Sequence, residues 1–216
     1  MAQHRLEARF ILSAARPDQF PAEPANIVTG EGTTAGEVAF LGRSNVGKSS
    51  LLNALVGQFG YANDKIPGGR KKLAFESSRP GCTQVINFFQ MGDDLHLVDL
   101  PGYGYAKVPA AIQQQWQHLI ESYLTSRTSL RLCVLLIDAR RGWMDKDLEL
   151  KTWLEFHGRK YIVAVTKIDK LTQREFAAVM TAVRQQAEGV EIVPVSAATG
   201  RGVRELWQTI WKIHNQ

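Results

Sequence analysis

The stretch Glu37–Gly57, EVAFLGRSNVGKSSLLNALVG, decides the fold. It opens on an apolar run, breaks at a turn of small residues, and continues with leucines at helical spacing. Gly42, Gly47, Lys48 and Ser49 fit the pattern G-x-x-x-x-G-K-[ST]. In that pattern a strand turns into a helix, and backbone amides close around phosphate oxygens at the helix N-terminus. Lys48 would reach the β- and γ-phosphates and Ser49 would ligand Mg²⁺. The alternative is a chance match in a glycine-rich turn, and the strand before it and the helix after it weigh against that. The motif alone does not separate ATP from GTP.

Outward from this turn the chain alternates short apolar runs with amphipathic ones. A short strand is expected near 8–13, then a loop over 14–36, rich in Pro, Ala, Gly and Thr. EVAFLG reads as a strand and 48–57 as a helix. VINFFQM and LHLVDL, separated by GDD, read as a hairpin. Ile112, Trp116, Leu119, Ile120 and Tyr123 recur at helical spacing across 110–126. Strand LCVLLID, helix 144–157, strand YIVAVT, helix 172–187, strand EIVPVS and helix 202–213 follow. The order β-α-β-β-α-β-α-β-α-β-α, with strands apolar on both faces, predicts an α/β fold. Its sheet is mixed but mostly parallel, with helices on both faces. In such sheets ligands gather beyond the carboxyl ends of the strands, and each motif here directly follows a predicted strand. The expected division is an N-terminal extension, 1–36, and a main domain, 37–216, carrying a long basic loop at about 58–82.

Asp99, Leu100, Pro101 and Gly102 (DLPG) close the strand LHLVDL. An acid there can hold Mg²⁺ through water, and the Gly102 amide can meet a γ-phosphate. Taken alone, an Asp before a Pro-Gly turn is ordinary loop chemistry. Thr166, Lys167, Ile168 and Asp169 (TKID) close YIVAVT. A carboxylate at Asp169 can accept from the N1–H and N2–H of guanine. Adenine offers no such pair of donors, and a mismatch that strands buried polar atoms discriminates strongly. The Lys167 stem can lie over a base, although a solvated Lys–Asp pair is the plainer reading. Val195, Ser196 and Ala197, at the end of the last strand, can complete a base pocket.

In order, GRSNVGKS, PGCT, DLPG, TKID and SAATG resemble the five motifs of Ras-like GTPases. More narrowly, GRSNVGKSSLLNAL, RPGCTQVINFF, LVDLPGYGYAKVP, LIDARRGWMDKDLE and TKIDKL resemble the EngB family, also called YihA or YsxC. These are bacterial GTPases implicated in assembling the large ribosomal subunit. The resemblance runs from about Arg9 to the C-terminus. It implies a three-layer Ras-like P-loop GTPase fold on a six-stranded sheet, with GTP or GDP as ligand and Mg²⁺ as metal. It implies phosphate contacts from Gly42, Arg43, Ser44, Asn45, Val46, Gly47, Lys48 and Ser49. A first switch would span Gly81, Cys82, Thr83, Gln84 and Val85, with Thr83 joining Ser49 on Mg²⁺. Asp99, Leu100, Pro101 and Gly102 would begin the second, and Thr166 to Asp169 with Val195 to Ala197 would hold guanine. Thr166 stands where many GTPases have Asn, though Thr is usual in the resembled family. The segment 60–75 is longer than the usual family linker.

Ras-type enzymes place a Gln after the D-x-x-G glycine to orient the attacking water. Here that residue is Tyr103, and a phenol cannot copy an amide that donates and accepts at once. Catalysis would then rest on Lys48 and Thr83, and slow turnover is expected without a partner. In some relatives with Asn at the position of Asn45, K⁺ replaces an arginine finger. Asn45 either helps hold K⁺ or stabilises the loop turn. Tyr103 and Tyr105 either offer exposed platforms to a partner or pack inward and fix the switch.

The bulk properties narrow the class. A chain of 216 residues, 44% hydrophobic and 22% charged, suits one globular domain rather than a disordered chain. Its 26 basic against 21 acidic residues, +5 in all, permit contact with nucleic acid without requiring it. Lys65, Arg70, Lys71, Lys72 and Arg79 make the long loop a candidate contact with ribosomal RNA; a solvated loop is the alternative. The partner implied is the large ribosomal subunit or its precursor. Cys82 and Cys133 lack zinc-site spacing and are expected to be reduced thiols. With no signal-like segment and no run long enough to span a bilayer, a cytoplasmic monomer is expected. Trp116, Trp153, Trp207 and Trp211 read as core residues, and Trp143 as exposed.

Overall fold

A strand with apolar residues at every position needs cover on both faces, and the architecture supplies it. The computed structural model describes residues 6–24, 28–29, 32–33, 36–62, 85–103 and 110–214. The chain runs through β1 (Leu6–Ala14), two short strands β2 (Val28–Thr29) and β3 (Gly32–Thr33), then β4 (Gly36–Gly42) and α1 (Lys48–Phe59). β5 (Gly60–Ala62), β6 (Ile86–Met91), β7 (Leu95–Asp99), α2 (Ala110–Ser126) and β8 (Leu130–Asp138) follow. The remainder is α3 (Asp145–Phe156), β9 (Tyr161–Thr166), α4 (Gln173–Gln186), β10 (Ile192–Pro194) and α5 (Val203–His214).

The main sheet has the order β10-β9-β8-β4-β7-β6-β1-β5. From β10 to β7 all neighbours are parallel, and β6 runs antiparallel between β7 and β1. The expected mixed, mostly parallel sheet is present, but it has eight strands rather than six. β1, from the N-terminal extension, pairs along its length with β6, and β5 adds parallel to β1 at the edge. The stretch expected as a featureless loop, 14–36, also carries a 3₁₀ turn at Pro17–Gln19 and the β2–β3 pair.

β4 shows why there are three layers. All seven of its residues are buried, and alternate side chains leave on opposite faces. Val38 and Phe40 join a core with Leu51, Leu55, Leu206 and Ile210 from α1 and α5. Ala39 and Leu41 face Leu119, Tyr123 and Leu154 from α2 and α3. Farther along that second face, Val163 and Val165 of β9 meet Met180 and Val183 of α4. Cys133 is a buried free thiol of β8, and burial pushes its pKa up to about 12. Among the described residues no helix is long and apolar enough to cross a membrane.

Candidate functional site

Parallel register aligns the carboxyl ends of five strands. Phe40 pairs with Asp99, Gly42 with Leu136, Asp138 with Thr166, and Pro194 with Val165. The loops leaving that edge carry GRSNVGKS, DLPG, TKID and SAATG, so four motifs distant in sequence converge there.

Between β4 and α1 the backbone makes two left-handed turns, at Asn45 (φ 61°) and Gly47 (φ 111°). Gly47 adopts a conformation that side-chain-bearing residues rarely reach. Asn tolerates its own turn better than most residues, which is a reason for Asn45 independent of any ligand. Lys48 and Ser49, both half-buried, open α1 beside the buried Asp99 at the end of β7. Burial lowers the Lys48 pKa against the pull of Asp99, and burial raises that of Asp99 against Lys48, Ser49 and Asn87. Asp99 is 3% exposed, and its Oδ1 has no hydrogen-bond partner among the described residues. A buried oxygen without a donor is costly, and each such atom asks for an explanation. Beside the Ser49 hydroxyl it suits a hard cation that takes oxygen ligands, so these residues fit Mg²⁺.

The other half of the site is bonded directly to this loop. Thr166 Oγ1 lies 2.7 Å from the Val46 carbonyl and 3.1 Å from that of Ile137. The Thr thus ties the end of β9 to the phosphate loop. Lys167, itself left-handed (φ 59°), donates from Nζ to the Asn45 carbonyl and lies 2.9 Å from Asp138 Oδ2. Asp138 also binds Arg140 at 2.7 Å. Burial pushes the Asp138 carboxyl up, but Arg140 and Lys167 more than offset it and hold it well below the usual range. Ser196 Oγ donates to Asp169 Oδ1 at 2.7 Å and accepts from the Thr199 amide at 3.2 Å. That bond lowers the Asp169 pKa. Val195 is buried and donates its amide to Val165 at 2.7 Å, which sets the height of Ser196 and Ala197.

The DLPG segment lies against the phosphate loop from the β7 side, with Leu100 and Pro101 buried. Arg43 and Tyr103 form a parallel bridge that carries the β4–β7 pairing past the strands. The Ser44 amide donates to the Tyr103 carbonyl at 3.0 Å. The Tyr103 hydroxyl donates to Asp147 Oδ1 at 2.8 Å, at the start of α3. Of the two readings of Tyr103, the inward one holds.

Gly81, Cys82, Thr83, Gln84, Tyr105 and the basic residues of the long loop lie outside the described residues. Val85 is described, at the foot of β6. Two tryptophans depart from expectation. Trp211 is 40% exposed, since it stacks on the outside of Trp207 rather than entering the core. Trp143 packs under the second face and donates from Nε1 to the Val183 carbonyl at 3.3 Å. Sequence reasoning gave no role to Asp138 or Asp147, which the structure bonds to site residues. Their one signal was their place in LIDARRGWMDKDLE, a stretch that carries the family resemblance.

A family described as 50S ribosome-binding GTPase matches residues 37–167. The chain is 52% identical over 205 residues to a probable GTP-binding protein EngB of Solibacter usitatus (strain Ellin6076), covering 95% of each. It is 41% identical over 214 residues to the protein of the same description from Koribacter versatilis (strain Ellin345), covering 96% of this chain and 94% of that one. Among solved structures it is similar to a probable GTP-binding protein engB, with a TM-score of 0.65 and 25% identity over 83% of this chain and 98% of that one. It is also similar to Era, solved in complex with MgGDPNP and nucleotides 1506–1542 of 16S ribosomal RNA. There the TM-score is 0.62 and the identity 26%, over 83% of this chain and 57% of that chain.

Proposed function

The chain belongs to the EngB family of GTP-binding proteins, and from that premise we propose that it is a nucleotide-controlled switch in assembly of the large ribosomal subunit. It binds GTP, hydrolyses it slowly to GDP and phosphate, and associates with the subunit or its precursor in one nucleotide state. The observation that supports this most is the direct bonding of the TKID loop to the phosphate loop, Thr166 to Val46 and Lys167 to Asn45. A carboxylate suited to guanine and a turn suited to phosphates then belong to one site.

In this reading Asp169, held by Ser196, accepts from guanine N1–H and N2–H, and the Lys167 stem covers the base. The backbone from Gly42 to Ser49 wraps the phosphates. Lys48, half-buried beside the buried Asp99, meets the β- and γ-phosphate charge with less screening than at an open surface. Ser49, Thr83 and, through water, Asp99 would hold Mg²⁺, which would neutralise charge on the phosphates when bound. Tyr103 commits its hydroxyl to Asp147 and does not orient the attacking water. Turnover is therefore low until a partner, or K⁺ at Asn45, assists. Equal GTP turnover in K⁺, Na⁺ and no monovalent salt would remove K⁺ from this account.

The protein acts in the cytoplasm as a monomer, and the basic loop with Lys71 and Lys72 contacts ribosomal RNA. That Era was solved with ribosomal RNA supports an RNA partner. A switch must bind differently in its two states. Co-sedimentation with large subunits should therefore differ between GDP and a non-hydrolysable GTP analogue. Equal sedimentation in both overturns the switch.

A further inference from the structure

We propose that Tyr103 and Asp147 form a latch that holds the DLPG segment against the phosphate loop and so sets the preference of the site for GDP over GTP. This rests on the GTPase reading above and goes beyond it in assigning a role in nucleotide preference to the bond between Tyr103 and Asp147.

The geometry begins at Ser44. Its amide, in the middle of the phosphate loop, donates to the Tyr103 carbonyl at 3.0 Å, and its hydroxyl lies 3.3 Å from the Gly102 carbonyl. The approach is so close that a Cβ on Gly102 would fall 2.9 Å from both the Ser44 amide nitrogen and Oγ. The segment whose Gly102 amide is expected to meet a third phosphate is therefore packed on the loop by its own backbone. A γ-phosphate has to compete for that space and for the Ser44 amide; a diphosphate asks for less of either.

What holds the segment there is the side chain of the next residue. The Tyr103 hydroxyl reaches Asp147 Oδ1 at 2.8 Å. Asp147 is itself fixed, 2% exposed, with Oδ2 accepting from the Met144 amide at 3.1 Å in the first turn of α3. The latch thus ties the DLPG segment to a helix seated in the core through Leu154. Tyr103 and Asp147 act as positioning residues: neither touches the reacting atoms, and both bias which arrangement of DLPG the site adopts. A ligand shifts such an equilibrium only by its differential affinity for the two arrangements.

The test is the ratio of affinities for GDP and a non-hydrolysable GTP analogue, measured by titration of fluorescent nucleotides with the full chain. Tyr103→Phe removes only the hydroxyl. It should raise analogue affinity relative to GDP by about tenfold, the worth of one hydrogen bond to a buried carboxyl. Asp147→Ala should shift the ratio the same way. The double variant should shift it no further than either single one, because both break one bond. A purely structural role would lower thermal stability and leave the ratio alone. The proposal is overturned if the ratio stays within twofold in both single variants while both nucleotides still bind, or if the two shifts simply add. A wild-type chain that binds neither nucleotide overturns this inference together with the reading beneath it.

Discussion

The two ends of the central sheet treat buried charge in opposite ways. At the amino end, Glu37 of β4 is fully buried and accepts from Arg127 through Nε at 3.0 Å and through Nη2, and from the Tyr123 hydroxyl at 3.0 Å. Arg127 Nη1 continues to the Pro21 carbonyl at 2.9 Å, and Glu23 caps Thr128 and Ser129. The groups around it are less complete: among the described residues His96 Nδ1, 3.7 Å from Glu37 and too far for a hydrogen bond, Ser129 Oγ and Arg131 Nε have no partner. At the carboxyl end, Lys48 and Asp99 are both pushed by burial toward their neutral forms, and Asp99 keeps an oxygen without a donor. Among the described residues, the buried charge at the amino end, Glu37, has its counter-charge and donors within the chain, whereas at the carboxyl end the buried carboxylate itself is left with an open oxygen. Desolvated groups left open at one edge cost stability, and a fold tolerates that cost where a ligand recovers it.

The comparison breaks most visibly at the amino end. Arg127→Ala leaves Glu37 buried without its counter-charge and should cost roughly 3–5 kcal/mol, the usual penalty for halving a buried ion pair. Urea denaturation measures it. Adding Glu37→Gln should recover part of the loss, since the buried charge goes while the Tyr123 bond can persist. Nucleotide affinity of the folded protein should stay unchanged, because this cluster lies at the opposite end of the strands. A large loss of affinity in the folded variant would mean that the ends are coupled.

At the carboxyl end the balance reverses. Lys48→Met should lower GTP turnover on the order of a hundredfold, the scale seen when one preorganised charge-stabilising donor is removed. Yet it should leave the nucleotide-free protein within about 1 kcal/mol of its original stability. An apolar chain of similar length replaces a desolvated amine, and Asp99, already raised by burial, can take a proton. Turnover assays and denaturation of the nucleotide-free chain read the two quantities separately. A loss of stability as large as that of Arg127→Ala would show that Lys48 is structural.

What was legible in the sequence follows the same division. The phosphate loop, DLPG and TKID could be read because local backbone demands and short spacings fix them: glycine where φ is positive, a strand before, a helix after. The unbroken apolar run in β4 likewise reveals a doubly covered strand. Bonds between segments far apart in the chain could not be read. Nothing in the spacing says that Tyr103 meets Asp147 or that Thr166 reaches Val46. Nor does it say that β1 would cross to β6 and extend the sheet, since a nine-residue strand with mixed polarity carries no address for its partner. Trp211 misled because helical spacing places it on the apolar stripe of α5 but does not show where the core ends. Glu37 and Arg127, 90 residues apart, carry no mark of each other in the sequence, and only tertiary packing makes them a buried pair.

The smallest expected effect sharpens the comparison through pH. Burial pushes Glu23 up, but its bonds to Thr128 and Ser129 prevail, and its pKa falls from 4.5 to about 2. A carboxyl depressed on folding contributes stability that is fully present above the unfolded value and is lost as pH falls through the folded one. The Glu23 contribution is therefore intact above about 4.5, shrinks below that and is gone under about 2. Glu23 is only partly buried, so solvent screening keeps the net effect below about 1 kcal/mol. Glu23→Gln should thus lower the urea midpoint slightly at pH 7, and the gap to wild type should close as pH falls through that window. Asp99 carries the opposite sign: its raised pKa means that the folded chain binds a proton more readily than the unfolded one, so its contribution grows toward acid. An Asp99→Asn variant should accordingly lose an acid-side advantage where Glu23→Gln loses a neutral-side one. Midpoint differences of the same sign of slope in both variants would contradict the division between a buried charge paired within the chain and one left open.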